Sequence, residues 1–177
     1  MKLALYGGSF DPPHAGHVAV VAEALKILPI DKLIIVPAAR NPFKPSTFAD
    51  GTQRYEWLKE IFASFTDVDI SDFEVKQGRS VYTIETLKHY QPFYDEIYLI
   101  IGADNLEKLE SWYQYDEINT MVKWVIAARD DIPIPETMIR LSVTVPISSS
   151  DFRTSLSPLG LEANIEKKIT TYYKEHL

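Results

Sequence analysis

Two histidines three residues apart, His14 and His17, stand in a short turn with Gly7, Gly8, Ser9, Phe10, Asp11, two prolines and Gly16. Residues at this spacing share one face of a first helical turn, so both imidazoles can reach a single ligand. Two glycines let the backbone come close to that ligand and expose its N–H groups. An apolar run, Leu3 to Tyr6, precedes the turn and reads as a buried strand, and Val18, Val21, Ala22, Leu25 and Leu28 follow at helical spacing. The stretch is therefore a strand-to-helix junction, whose helix N-terminus favours an anion. A tight connection alone would use the glycines but would not need two histidines. Together these residue types suit phosphate, gripped by amides and by imidazole donors. The Gly-Lys-Ser/Thr ending of a Walker loop is absent, and so is the dinucleotide fingerprint Gly-x-Gly-x-x-Gly.

Three more places carry chemistry-bearing residues. Lys44 closes a proline-rich loop, Pro37 to Pro45, and is either a solvated cation or one that swings onto phosphate. Gly102 and Asp104 follow the most apolar run, Glu96 to Ile101; there Asp104 either caps the next segment or accepts hydrogen bonds from a ribose or an adenine amine. Ser148, Ser149 and Ser150 precede Asp151 and Arg153, a strong helix start that also exposes hydroxyls and a guanidinium suited to forked phosphate binding.

The elements that must position these groups alternate. Strand-like runs are expected at Lys32 to Val36, Glu96 to Ile101, Lys123 to Ala128 and Leu141 to Val145, with short ones at Val68 to Ile70 and Phe73 to Val75. Helices are expected from Asp50 to Phe65, from Ser80 onward with Ser80 or Thr83 as cap, and at the C-terminus through Leu161, Ile165, Ile169 and Tyr172. This alternation predicts an α/β fold: a doubly wound, mostly parallel sheet with helices on both faces and C-terminal helices. Ligands of such sheets bind at the carboxyl ends of the strands, where the histidine turn and Asp104 fall.

With 177 residues, 46% of them hydrophobic and 24% charged, the chain is expected to form one domain over 1–177. No apolar run reaches the ~18 residues of a membrane span. Cysteine is absent, which removes disulfides and thiol catalysis and makes a cytoplasmic protein the default. The net charge of −7 argues against broad nucleic-acid binding. No membrane or nucleic-acid partner is expected, and a homo-oligomer is left open. A phosphate site in so acidic a chain must be made locally, from a few placed cations and amides.

Gly-Ser-Phe-Asp-Pro-Pro-His-Ala-Gly-His resembles the signature turn of nucleotidyltransferases related to class I aminoacyl-tRNA synthetases. Ile147-Ser-Ser-Ser-Asp-Phe-Arg153 is similar to their second signature, Ile-Ser-Ser-Thr-x-x-Arg. Gly102-Ala-Asp104 with Trp112-Tyr113, and Tyr82-Thr83, resemble segments of the bacterial nicotinate-nucleotide adenylyltransferase family. The chain departs from that family in two places. Phe43 replaces a His before Lys44, and Ser80-Val-Tyr82-Thr83 is one residue longer than the family's Ser-Tyr-Thr.

The resemblance implies a Rossmann-like fold and transfer of AMP from ATP to nicotinate mononucleotide, giving deamido-NAD and pyrophosphate in NAD synthesis. It implies catalytic roles for His14, His17, Lys44 and Arg153. ATP would be bound by Gly7, Gly8, Ser9, Phe10 and His17 from the first turn, with Gly102, Asp104, Ser148, Ser149 and Arg153. The nicotinate nucleotide would be bound by Ser9, His14, Lys44, Tyr82, Thr83 and Arg129, with Trp112 stacking on the ring. The residues show no activated covalent nucleophile and no cluster of carboxylates. The expected catalysis is in-line placement of two anions and charge neutralisation, with Mg²⁺ carried by the ATP phosphates. Phosphopantetheine adenylyltransferase, and a nucleotide-sensing protein without catalysis, stay open as alternatives.

Overall fold

The computed structural model describes residues 1–39, 48–129 and 131–177. Among the described residues six strands form one sheet: β1 (Lys2–Gly8), β2 (Lys32–Pro37), β3 (Val68–Ile70), β4 (Glu96–Gly102), β5 (Val122–Ala127) and β6 (Ile139–Leu141). Their spatial order is β3-β2-β1-β4-β5-β6, and every pairing is parallel. The order reverses between β1 and β4. At such a point, connections leave to opposite faces and open a crevice at the carboxyl ends.

Both faces are covered, which is why β1 and β4 read as unbroken apolar runs and not as alternating ones. One face carries Ala4, Tyr6, Ile35 and Ile100 against α1 (Ala15–Ile27) and α2 (Gly51–Ile61), through Val21, Ala24 and Leu58. The other carries Leu3, Leu5, Leu99 and Ile126 against α4 (Thr83–Tyr90) and α5 (Tyr115–Met121), through Ile84, Leu87 and Ile118. A third cluster joins α2 to α6 (Ser149–Ser155) and α7 (Ala163–His176), with Trp57, Phe152, Ile169 and Tyr173 buried together.

The expected doubly wound architecture is present, with four local differences. Phe73 to Val75 is no strand: it belongs to α3 (Phe73–Gln77), which Gly78 ends at φ 64°. Three apolar-leaning residues are too few to display a period, and packing decided the outcome. Glu74 of α3 accepts from Thr86 Oγ1 at 2.6 Å on α4, and burial pushes its carboxyl up to about 7. The helix expected from Ser80 starts at Thr83, and neither Ser80 nor Thr83 caps it. Instead the Glu85 carboxylate accepts the Tyr82 N–H at 2.8 Å. The last strand is Ile139–Leu141, earlier than Leu141 to Val145, because the register with β5 ends at Leu141. The helix expected to run to Phe65 ends at Ile61, with Asp50 as its cap.

Phe152 ties α6, and with it Arg153, to α2 and α7; its ring meets Tyr173 edge-on with centroids 5.5 Å apart. Phe152→Ala should lower stability by about 3–5 kcal/mol, the usual cost of emptying a buried aromatic site. Urea unfolding should show this as a lower midpoint at unchanged slope. A loss below about 1 kcal/mol would mean that α6 is not anchored by this side chain.

Candidate active site

The turn after β1 lies at the point where the strand order reverses. Gly7 is exposed, and a Cβ there would meet nothing within 4 Å, so the strand end faces open space. Phe10 has a left-handed backbone, φ 50°, rare for a side chain of that size. Its buried ring lies 5.3 Å from Tyr6 and 4.8 Å from His17, centroid to centroid, both edge-on. The Asp11–Pro12 peptide is cis.

The two histidines close the start of α1 reciprocally. His14 Nδ1 accepts the Gly16 N–H at 3.0 Å, and His17 Nδ1 accepts the His14 N–H at 3.1 Å. Their rings stack with centroids 3.8 Å apart. A Cβ on Gly16 would come within 2.7 Å of the His14 ring, so this cap needs glycine at that position. With Nδ1 accepting, a neutral ring carries its proton on Nε2. Burial pushes the His14 imidazole down to about 4, with the Arg129 charge adding to the effect. Burial and the neighbouring His14 push His17 well below the usual histidine range. Both rings therefore enter the site as neutral N–H donors.

The remaining expected groups divide. Arg129 is exposed just past β5, and its charge reaches His14. Asp104 is exposed in the 3-10 helical stretch Ala103–Ser111, and its charge reaches the Tyr6 hydroxyl, which burial already raises above the normal tyrosine range. Asn105 Nδ2 donates to the Gly102 carbonyl at 3.1 Å and holds that strand end. Ser148 caps α6, accepting the Asp151 N–H at 3.0 Å, while Ser149 Oγ donates to the Pro12 carbonyl at 2.8 Å. Arg153 Nη1 donates to the Asp11 carbonyl at 2.5 Å, and its guanidinium lies 4.7 Å over the Phe48 ring. The second signature is thus bound directly to the first.

A second group lies at the start of α4. The Tyr82 and Tyr113 rings pack at 4.7 Å, and both are about half exposed. Thr83 is half-buried. Trp112 is half-buried and meets Trp124 edge-on at 6.2 Å, so one part of it belongs to the core. Lys44 and Phe43 lie outside the described residues.

Several residues around the turn were not picked out from the sequence. Asp11 is buried; its Oδ2 accepts the Phe48 N–H at 2.7 Å, its Oδ1 the Ala49 N–H at 3.0 Å, and the Tyr173 hydroxyl donates to it as well. Arg54 is wholly buried on α2. A signal for Arg54 exists in the sequence: it stands four residues before Leu58 and seven before Ile61, within the helix's apolar stripe. Tyr113 had no signal beyond its place next to Trp112.

A cytidylyltransferase-like family model matches residues 5–155. The probable nicotinate-nucleotide adenylyltransferase of Sulfurimonas denitrificans is 49% identical over 173 residues, covering 98% of this chain and 95% of the relative. That of Campylobacter jejuni is 46% identical over 177 residues, covering 99% and 98%. Among solved structures, Plasmodium falciparum nicotinic acid mononucleotide adenylyltransferase complexed with NaAD shares the fold, with a TM-score of 0.73 and 21% identity over 98% of this chain and 95% of the other. The histidine turn, the second signature bound to it and these near full-length matches agree: the chain belongs to the cytidylyltransferase-like family and, within it, to the nicotinate-nucleotide adenylyltransferases.

Proposed function

We propose that the stacked pair His14–His17, set at the start of α1 where the strand order reverses, carries adenylyl transfer from ATP to nicotinate mononucleotide. The products are deamido-NAD and pyrophosphate, in NAD synthesis. The names of the full-length relatives support this reading, as does the solved neighbour bound to NaAD. A phosphate oxygen of the mononucleotide attacks the α-phosphorus of ATP. The bond from that phosphorus to the pyrophosphate oxygen breaks, and pyrophosphate leaves with the electron pair. The nucleophile is already anionic, so no base is required of the chain.

The Nε2–H groups of His14 and His17 donate to the α-phosphate oxygens as charge grows on them. Gly7, Gly8, Ser9 and Phe10 bring backbone to the phosphates, and Asp104 accepts from the ribose or adenine. Arg153 spends two N–H donors on Asp11 and Ser150, leaving others of its five for phosphate. Ser148 and Ser149 set that arginine's helix. Lys44, matched by its place in the sequence, adds positive charge for the phosphates, and Arg129 meets the mononucleotide phosphate near His14. Among the described residues no three His, Cys, Asp or Glu side chains converge to hold a metal, and the donors at the site are imidazoles and guanidiniums. Mg²⁺ fits there as a partner of the ATP phosphates, where it supplies charge neutralisation. Residues 1–177 act as one nucleotidyltransferase domain built on a single sheet, and the cytoplasm is its expected place. Among the described residues no helix is long and apolar enough to cross a membrane.

Acid over amide is chosen at the start of α4. The amides of Thr83 and Ile84 precede the first intrahelical hydrogen bond and point out of the helix, while Tyr82 already donates to Glu85. These donors suit a carboxylate. An amide NH₂ placed against them leaves donor facing donor, at about 1–3 kcal/mol. The Tyr82–Tyr113 pair and Trp112 offer aromatic surface to the ring in either form.

Three outcomes are expected. Pyrophosphate release should be faster with nicotinate mononucleotide than with its amide by roughly 10-fold or more in kcat/KM, and absent with phosphopantetheine. Equal efficiency for acid and amide would defeat the assignment. Thr83→Val should narrow the preference if the hydroxyl contributes, and leave it intact if backbone amides alone decide.

His17→Ala should lower kcat by about 10²–10³-fold with circular dichroism unchanged. It should also cost about 1 kcal/mol of stability through the lost cap. A variant with near-normal turnover would remove His17 from the chemistry.

Stability should depend on acidity through the histidines. Their folded-state values lie below the unfolded one, near 6.5, and His14 falls to about 4. Between these limits the unfolded chain binds more protons, so stability is full above about pH 6.5 and is lost as pH falls toward about 4. Thermal unfolding of ligand-free protein should show the midpoint dropping across this window, and dropping less in His14→Asn. An equal drop in both would assign the acid sensitivity to other groups.

A further inference from the structure

We propose that Arg54 is a positioning residue for adenylyl transfer, acting with Asp11 to hold the histidine turn in its reactive shape. This deepens the activity proposed above and rests on it. Arg54 lies on α2 with no exposed surface. Burial lowers its pKa, while Asp11 and Tyr173 favour the charged form. An uncompensated buried charge would be costly. Here the guanidinium is spread over three backbone carbonyls. Nη1 donates to Ser9 at 2.5 Å, Nη2 to Ala39 at 3.2 Å and Nε to Ala49 at 3.0 Å. No carboxylate of the described residues forms an ion pair with it, which is unusual for a buried arginine. Its planar fork therefore fixes three chain segments relative to one another, and one of them is the phosphate-facing turn.

Asp11 supplies the complementary half. It takes the N–H groups of Phe48 and Ala49 and the hydroxyl of Tyr173, while Arg153 binds its carbonyl. Arg54 thus gathers carbonyls, and Asp11 gathers N–H groups, around the same place. Ala49 is held by both, through its carbonyl and its N–H. The Ser9 contact bears directly on chemistry. In a trans peptide the N–H lies opposite the C=O, so fixing the Ser9 carbonyl also fixes the direction of the Phe10 N–H. A charge-assisted bond to that carbonyl polarises the peptide and strengthens the N–H as a donor. Phe10 holds a left-handed backbone next to this bond, a conformation that surrounding structure must enforce.

Lysine keeps the charge but cannot reproduce a fork. Wild-type turnover with ATP and nicotinate mononucleotide is measured first; its absence would refute the assigned activity and not the role of Arg54. Given that turnover, Arg54→Lys should lower kcat per folded molecule about 10²-fold, the effect of a small misplacement of reacting groups. Its KM for ATP should move far less. Leu58→Ala, on the same helix but facing the sheet, serves as the control: it should lower the melting temperature while keeping kcat per folded molecule. A kcat in Arg54→Lys no lower than in Leu58→Ala would overturn the proposal. Should Arg54→Lys fail to fold, Tyr173→Phe decides. It removes one buried hydroxyl from Asp11 and should lower kcat per folded molecule several-fold, whereas unchanged kcat would overturn the proposal.

Discussion

Parallel pairing of β1 with both β2 and β4 is the constraint on which the remaining structure depends. Parallel neighbours need crossover helices, so every described strand points its carboxyl end to the same edge of the sheet. α1 leaves β1 onto one face, while the chain leaving β4 packs on the other. The two crossovers thus part at the edge between β1 and β4, and the histidine turn and Asp104 sit beside that crevice. The site is a consequence of strand order before any side chain is considered.

The chain is acidic overall, yet the reaction brings together two polyanions. The structure answers with local means. Burial keeps His14 and His17 neutral, so they offer N–H groups without the repulsion of two adjacent imidazolium ions 3.8 Å apart. Arg153 and Arg129 bring full charge from two other segments, the first through a direct bond to the turn. Neutral donors on the turn and cations on the two neighbouring segments make a local field that a net charge of −7 conceals.

Aromatic groups divide between core and ligand surface in a way that residue type alone does not show. Tyr6 and Phe10 are buried and brace His17. Trp112 is partly taken up by Trp124, while Tyr82 and Tyr113 form an exposed pair. In the sequence, Trp112 was the evident ring for stacking and Tyr113 was only its neighbour. The fold gives more free aromatic surface to the tyrosines because Trp112 leans on the β5 side of the core.

Much was legible from local pattern. The apolar runs of β1, β2, β4 and β5, the serine cap of α6 and the glycine–histidine junction all depend on neighbours in sequence, and each stands close to where its spacing placed it. Short elements were not legible. Three residues at Phe73 cannot display a period, and helix α3 stands there with Glu74 bonded to Thr86, twelve positions away. Longer-range pairing was wholly invisible. The Asp11–Tyr173 bond joins residues 162 apart, and the Arg54 fork reaches back 45 residues to Ser9. The sequence by itself determined the long strands of the sheet, its capped helices and the glycine–histidine junction after β1, because periodicity and capping are properties of adjacent residues. Only the tertiary structure decided that the histidines are neutral and that a buried arginine braces them, because burial and distant polar partners are created by packing.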